Sequence, residues 1–165
     1  MFLFEVFRKF NDKQLDYAVV GGVALVLHGV VRLTADLDLV VALERGNLLV
    51  LLEAMNELGY RPRAPVQPEE LLDPEVRESW IHDKNMEVFS FYDPGKPLAL
   101  IDLIIRETIS YQEIRRNAVD IAVDGLQVPV ASVDDLIRLK KNAGRPQDLE
   151  DIKFLEEGKL YAQTR

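Results

Sequence analysis

Residues 21–41 read GGVALVLHGVVRLTADLDLVV, and this stretch decides how the rest of the chain is read. Two glycines close the short apolar run YAVV and open a second one, VALVLH. Asp36 and Asp38 then alternate with apolar residues. Side chains of a strand alternate between its faces, so the two carboxylates share one face. Side by side they repel, and the arrangement is costly unless a cation sits between them. The glycines just upstream let backbone N–H groups approach an anion. A magnesium-bound nucleoside triphosphate accounts for both features. A wet face on an edge strand accounts for the aspartates alone.

The 165 residues make one domain, 1–165, and at 48% apolar content the chain has enough material for a real core. Cysteine is absent, which excludes disulfides, thiolate nucleophiles and cysteine-held zinc. With only His28 and His82 available, a histidine-rich metal site is excluded as well. Any metal is expected on oxygen ligands, which favours Mg²⁺, Mn²⁺ or Ca²⁺. The opening MFLFEVFRKFNDKQ lacks a basic leader and a small-residue cleavage site, so it reads as an amphipathic helix and not a signal peptide. No apolar run is long enough to cross a bilayer, and a cytoplasmic protein with no membrane partner is the expectation. The net charge of −8 weighs against broad nonspecific binding to nucleic acid.

Periodicity and turn chemistry set out the elements. Residues 2–13 form a helix, 17–20 a buried strand, 23–28 a short helix and 36–43 a strand. Asn47 is placed to cap the next helix, which runs to about Leu58 and stops at Gly59. Residues 61–68 carry three prolines and read as a loop. Residues 69–81 read as a helix broken near Pro74. Residues 86–92 and 98–105 form a hairpin through Asp93-Pro94-Gly95. A helix over 107–116 follows, then a hairpin of 118–123 with 126–130 through Asp124-Gly125. Ser132 caps a helix to Asn142, Gly144 ends it, and Pro146 sits in the first turn of the last helix. The fold class is therefore α+β: a mixed sheet flanked by helices, with C-terminal helices, and without repeat or interdomain linker.

A third carboxylate, Asp102, interrupts the apolar strand PLALIDLII. A buried charge there needs a partner. That partner is either a basic side chain or, with Asp36 and Asp38, a pair of divalent ions about 3.5–4 Å apart that clamp the attacking and leaving oxygens of an in-line displacement. The glycine pair fits neither the dinucleotide fingerprint GxGxxG nor the P-loop GxxxxGK[ST].

Gly-Gly, thirteen intervening residues and then Asp-apolar-Asp-apolar resemble the nucleotidyltransferase signature of the DNA polymerase beta superfamily, with Asp102 matching its third acid. The tail, VPVASVDDLIRLKKNAGRPQDLEDIKFLEE, resembles that superfamily's minimal, toxin-like bacterial branch, found in type IV toxin–antitoxin pairs. The resemblance covers nearly the whole chain. It implies a nucleotidyltransferase-like sheet and a metal-dependent enzyme. Such an enzyme moves a nucleoside monophosphate from an NTP to a hydroxyl of tRNA, protein or a small molecule, and the resemblance implies a cognate antitoxin as a partner. It implies that Asp36, Asp38 and Asp102 bind two Mg²⁺ or Mn²⁺ ions and are catalytic, with Asp102 also helping to deprotonate the acceptor. It further implies that Gly21 and Gly22 seat the triphosphate, that Lys140 reaches a phosphate and that Asp148 is the acid of the C-terminal motif. Many members carry Gly-Ser at the turn, and a serine directly before the first aspartate. Here Gly22 supplies only backbone, and Ala35 stands before Asp36 with Thr34, a candidate nucleotide contact, one residue earlier.

Other residues have a plainer reading beside the functional one. Arg32 is a candidate phosphate contact or a partner for Asp36 or Glu44. His28 reads as a packed, hydrogen-bonded core histidine, and Trp80 as core. Lys140 and Lys141 lie on a helix, where basic side chains ordinarily cover surface. Arg145, Asp148 and Asp151 suit a charge network at a helix start. An inactive nucleotide-binding or protein-interaction module of the same fold is the alternative to an enzyme.

Overall fold

The computed structural model describes residues 2–163, and they form one mixed seven-stranded sheet with helices packed against it. In chain order the elements are α1 (Phe2–Asp12), β1 (Tyr17–Val20), α2 (Gly21–Leu27), β2 (Leu37–Val41), α3 (Arg45–Glu57) and β3 (Arg61–Pro62). A 3-10 turn (Pro68–Leu72) precedes α4 (Pro74–Lys84), β4 (Val88–Asp93) and β5 (Lys96–Ile104). Then come α5 (Tyr111–Asn117), β6 (Val119–Val123), β7 (Leu126–Val130), α6 (Val133–Ala143) and α7 (Pro146–Gln163). The strand order is β3-β4-β5-β2-β1-β7-β6. The pairs β2–β5 and β1–β7 are parallel, and the other four are antiparallel.

Register separates the sheet's two faces. Val19, Leu39, Leu103 and Phe89 lie in one cross-strand row, and Leu37, Ile101 and Phe91 in the next. All are buried, with Phe7 and Phe10 of α1 and Leu48, Leu51 and Met55 of α3 in the same core. Phe10 meets Tyr17 of β1 edge-on, with ring centroids 5.1 Å apart. The other face carries Val20, Asp38, Asp102 and Ser90 in one row. The strands that hold the aspartates are thus anchored by the face opposite to them.

The turn chemistry holds at both hairpins. Asp124 and Gly125 both take positive φ, the backbone that a tight two-residue turn requires. Ser132 Oγ accepts from Asp135 N, and Gly144 ends α6 in the left-handed region. His28 is bonded through Nε2 to Ala131 O at 2.8 Å, and Trp80 is 2% exposed, so both have the packing roles expected of them.

Four expectations need correction. Asn47 does not cap α3, which begins at Arg45 after Glu44 without a side-chain cap. Its amide instead bonds the backbone of Asp16 twice and the carbonyl of Ala42, tying the entry of β1 to the exit of β2. The short helix starts at the glycines themselves and not at Val23. The second strand begins at Leu37, which leaves Asp36 just outside the ladder. Residues 61 and 62 form β3, an edge strand, within the predicted loop.

Candidate active site

Asp38 and Asp102 face each other because β2 and β5 run parallel with these residues in register. Neighbouring strands lie about 4.8 Å apart, so the two carboxylates project from adjacent points of one face. They stand on the floor of a cleft of about 680 Å³. Val20, Val40 and Val88 floor it beside them, and Leu136, Leu139 and Lys140 of α6 wall it. Arg145 and Asp148 stand at one side, and Glu87, Arg106, Glu107 and Thr108 line another part.

The electrostatics of this floor are strained. Burial, then the charges of Asp102 and Asp36, push the Asp38 carboxyl up to about 7, against the opposing pull of the Gly22 N–H and the charge of Lys140. Asp36 is raised in the same way, by burial and then by Asp102, while the Leu100 N–H and Arg63 hold it down. Asp102 Oδ1 is buried and has no hydrogen-bond partner among the described residues. The basic partner considered for Asp102 is therefore not supplied, and among the salt bridges of the described residues none involves Asp36, Asp38 or Asp102. Among the described residues no group of three or more His, Asp or Glu side chains is arranged to hold a metal ion. The Asp38 carboxylate lies against the Gly21-Gly22 turn, the turn expected to receive phosphate.

That turn is built for close approach. Gly21 takes φ +65°, and a Cβ there would run into the Asp38 carboxylate. A Cβ on Gly22 would lie 2.6 Å from Thr34 Oγ1. The space that a side chain at position 22 would fill is therefore held by the Thr34 hydroxyl.

The basic residues come from three segments. Arg32 pairs with neither Asp36 nor Glu44; its Nη1 donates to Asp151 Oδ2 at 2.6 Å. Lys140 is not a surface cover either. It is 8% exposed, with Nζ 2.8 Å from Asp151 Oδ2 and 3.6 Å from Asp148 Oδ1. Arg145 Nε donates to Asp148 Oδ2 at 2.9 Å. Burial alone would raise Asp148, but the hydrogen bonds and charge of Arg145, with the charge of Lys140, hold it below the ordinary carboxylate range. The charge network read for 145–151 is real, and it extends to Lys140 and Arg32. Of the predicted site residues, the structure gathers Gly21, Asp38, Asp102, Lys140 and Asp148 around one cleft, with Gly22, Asp36, Thr34 and Arg32 beside it.

Sequence reading passed over Glu107, whose carboxyl is raised by burial and which lines the cleft just beyond β5. The signal was available: Arg-Glu-Thr follows directly on the apolar strand that carries Asp102.

No family model matches this chain, and no curated protein does. Several solved structures are similar to it. The lincosamide antibiotic adenylyltransferase LnuA, bound to lincomycin, shares 14% identity at a TM-score of 0.62, over 94% of each chain. ANT(2")-Ia in complex with adenylyl-2"-tobramycin shares 15% at 0.60, over 96% of this chain and 91% of that one. An antigenic nucleotidyltransferase-like protein from Paracoccidioides brasiliensis shares 19% at 0.52, over 90% and 71%. At these identities the likeness speaks for architecture, and the architecture is the nucleotidyltransferase fold.

Proposed function

We propose that this protein moves a nucleoside monophosphate from an NTP to a hydroxyl of a small-molecule acceptor, with a divalent cation required. The observation that carries the reading is Asp38 beside Asp102 on the floor of an open cleft, with Lys140 in its wall. These residues fit a hard divalent ion such as Mg²⁺ or Mn²⁺. They are oxygen donors, their charges repel with no cation between them, and Asp102 Oδ1 is buried without a partner. Asp38 and Asp102, in register on adjacent strands, would be the first ligands of such ions, and Asp36 would have to move in from beside the cleft to complete a set for two; when bound, the ions would neutralise phosphate charge and align the attacking and leaving oxygens.

The chain's own residues supply the rest. Lys140 and Arg32 offset the charge of the triphosphate, and the Gly21-Gly22 turn with Thr34 Oγ1 lies against it. The Asp102 carboxylate accepts the proton of the acceptor hydroxyl as that oxygen bonds to the α-phosphorus. The bond from the α-phosphorus to the bridging oxygen breaks, and pyrophosphate leaves. Asp148 holds Arg145 at the side of the cleft. Little more is needed, because this class of transfer depends on alignment and charge neutralisation.

A small acceptor is favoured over a macromolecule on three counts. The cleft volume lies within the range of small-molecule sites, roughly 300–1,000 Å³. The net charge of −8 opposes a large RNA footprint. Two structures of the same fold hold lincomycin and adenylyl-2"-tobramycin.

The test is incubation with each labelled NTP and Mg²⁺ or Mn²⁺, with hydroxylated amines, tRNA and protein as separate acceptors. Label is expected on a small molecule, with a loss of about 100-fold or more in Asp38→Ala. Equal transfer by wild type and Asp38→Ala overturns the reading. The tRNA and protein arms test the toxin-like role that the resemblance implies, and copurification with a small antitoxin would support it. A second reading, a nucleotide-binding module without turnover, is favoured by the Asp38 carboxylate lying against the turn that would receive phosphate. It predicts NTP·Mg²⁺ binding by calorimetry that survives Asp36→Ala and Asp38→Ala, with no product formed.

A further inference from the structure

We infer that Asp151 is a positioning residue for the phosphates of the nucleotide and acts through Arg32 and Lys140. The inference rests on the transfer reading, because it needs a triphosphate beside Asp38. Three segments far apart in sequence meet at one atom. Asp151 Oδ2, on α7, accepts from Arg32 Nη1 at 2.6 Å and from Lys140 Nζ at 2.8 Å. Arg32 comes from the loop between α2 and β2, and Lys140 from α6. Asp151 is 6% exposed and Lys140 8%, so the junction is nearly dry.

Arginine and lysine each have many rotamers, and two cations this close repel. A shared carboxylate oxygen fixes both heads at one point and removes the repulsion. It does not exhaust them, since guanidinium has five N–H donors and ammonium three. Arg32 Nε lies 3.7 Å from where a Cβ of Gly22 would sit, so the guanidinium flanks the Gly-Gly turn. Lys140 lines the cleft, and its charge is felt at Asp38. Asp151 thus stands outside the cleft and holds Lys140 at its wall and Arg32 beside the Gly-Gly turn.

Charge balance points the same way. The network holds three cations, Arg32, Lys140 and Arg145, against two carboxylates, Asp148 and Asp151. One positive charge is left over in a chain whose net charge is −8. Lys140 and Arg145 both feel the Asp38 carboxylate, so this surplus faces the cleft floor, on the side where a metal-bound phosphate would meet it.

The experiment is calorimetric titration with inorganic tripolyphosphate and Mg²⁺, in a double-mutant cycle. Asp151→Asn is expected to weaken binding about tenfold in the wild-type background and threefold or less with Arg32→Ala already present, because part of its effect runs through that side chain. An equal loss in both backgrounds shows a merely structural role and overturns the inference. Tighter binding by Asp151→Asn also overturns it, by making the carboxylate a competitor of phosphate. Asp151→Glu keeps the charge but moves the oxygen by one methylene, and is expected to fold and to bind about threefold more weakly or worse. Wild-type affinity in that variant overturns the inference even where Asp151→Asn does not fold. No tripolyphosphate binding by the wild type overturns it outright. A non-additive cycle in a protein that transfers no nucleotide defeats the transfer reading and leaves the role of Asp151 standing. Transfer with an additive cycle does the reverse.

Discussion

Asp38 is held in a place that disfavours its charge, and the consequence is a stability that depends on pH. Its carboxyl is raised from 3.8 to about 7, by burial first and then by Asp102 and Asp36. The unfolded chain keeps the ordinary value. Between about pH 4 and 7 the folded protein therefore retains a proton that the unfolded chain has lost, so stability falls as pH rises through that window. Below it the penalty is absent, and above it the penalty is complete. Asp38→Asn removes the charge and keeps the shape. It is expected to stabilise the metal-free protein by about 2–4 kcal/mol at pH 8 and by little at pH 4. Chemical unfolding at both pH values in a chelator measures this, and an equal gain at the two refutes the assignment. A divalent cation should shrink the gain at pH 8, since it screens the same repulsion.

At the scale of elements, much was legible because pattern and punctuation agree. Alternating apolar residues gave the strands, Asp-Gly gave the β6–β7 turn, and Ser132 gave the start of α6. One misreading, the start of α2 at the glycines, is local, and the others turn on partners elsewhere in the chain. Asn47 has the chemistry of a helix cap, but Ala42 and, 31 positions away, Asp16 compete for its amide, and nothing local reveals the latter. Asp36 continues the alternation of β2, yet the hydrogen-bonded ladder starts at Leu37. The candidate site followed the same rule. Gly21, Gly22 and Asp38 were readable in one stretch, but the meeting of Asp38 with Asp102 is a matter of strand register. The partner of Arg32 lies 119 positions away. Asn47→Ala leaves one N–H and two carbonyls without their side-chain partner. It is expected to cost about 1–3 kcal/mol in a denaturant melt with unchanged m-value. A loss below a few tenths would show that water replaces the amide freely.

The whole molecule is acidic, with a net charge of −8, and Glu87 and Glu107 add carboxylates to the cleft beyond the aspartates. Its long-range field attracts cationic acceptors, and salt screens that field. Under the transfer reading, raising ionic strength from about 50 to 300 mM should raise KM several-fold for a polyamine-like acceptor and leave it nearly unchanged for a neutral one. Steady-state kinetics on the two acceptors decide the point, and identical salt slopes would remove the field from the account. The junction of Arg32 with Asp151 bears on how the molecule comes into being. A ribosome releases the α2–β2 loop long before it makes α7, so during synthesis the arginine has no anchor. Contacts of such separation are slow to close and come late in folding. Under the transfer reading, activity therefore waits for α7, and a nascent chain that already holds Asp36, Asp38 and Asp102 is still inert.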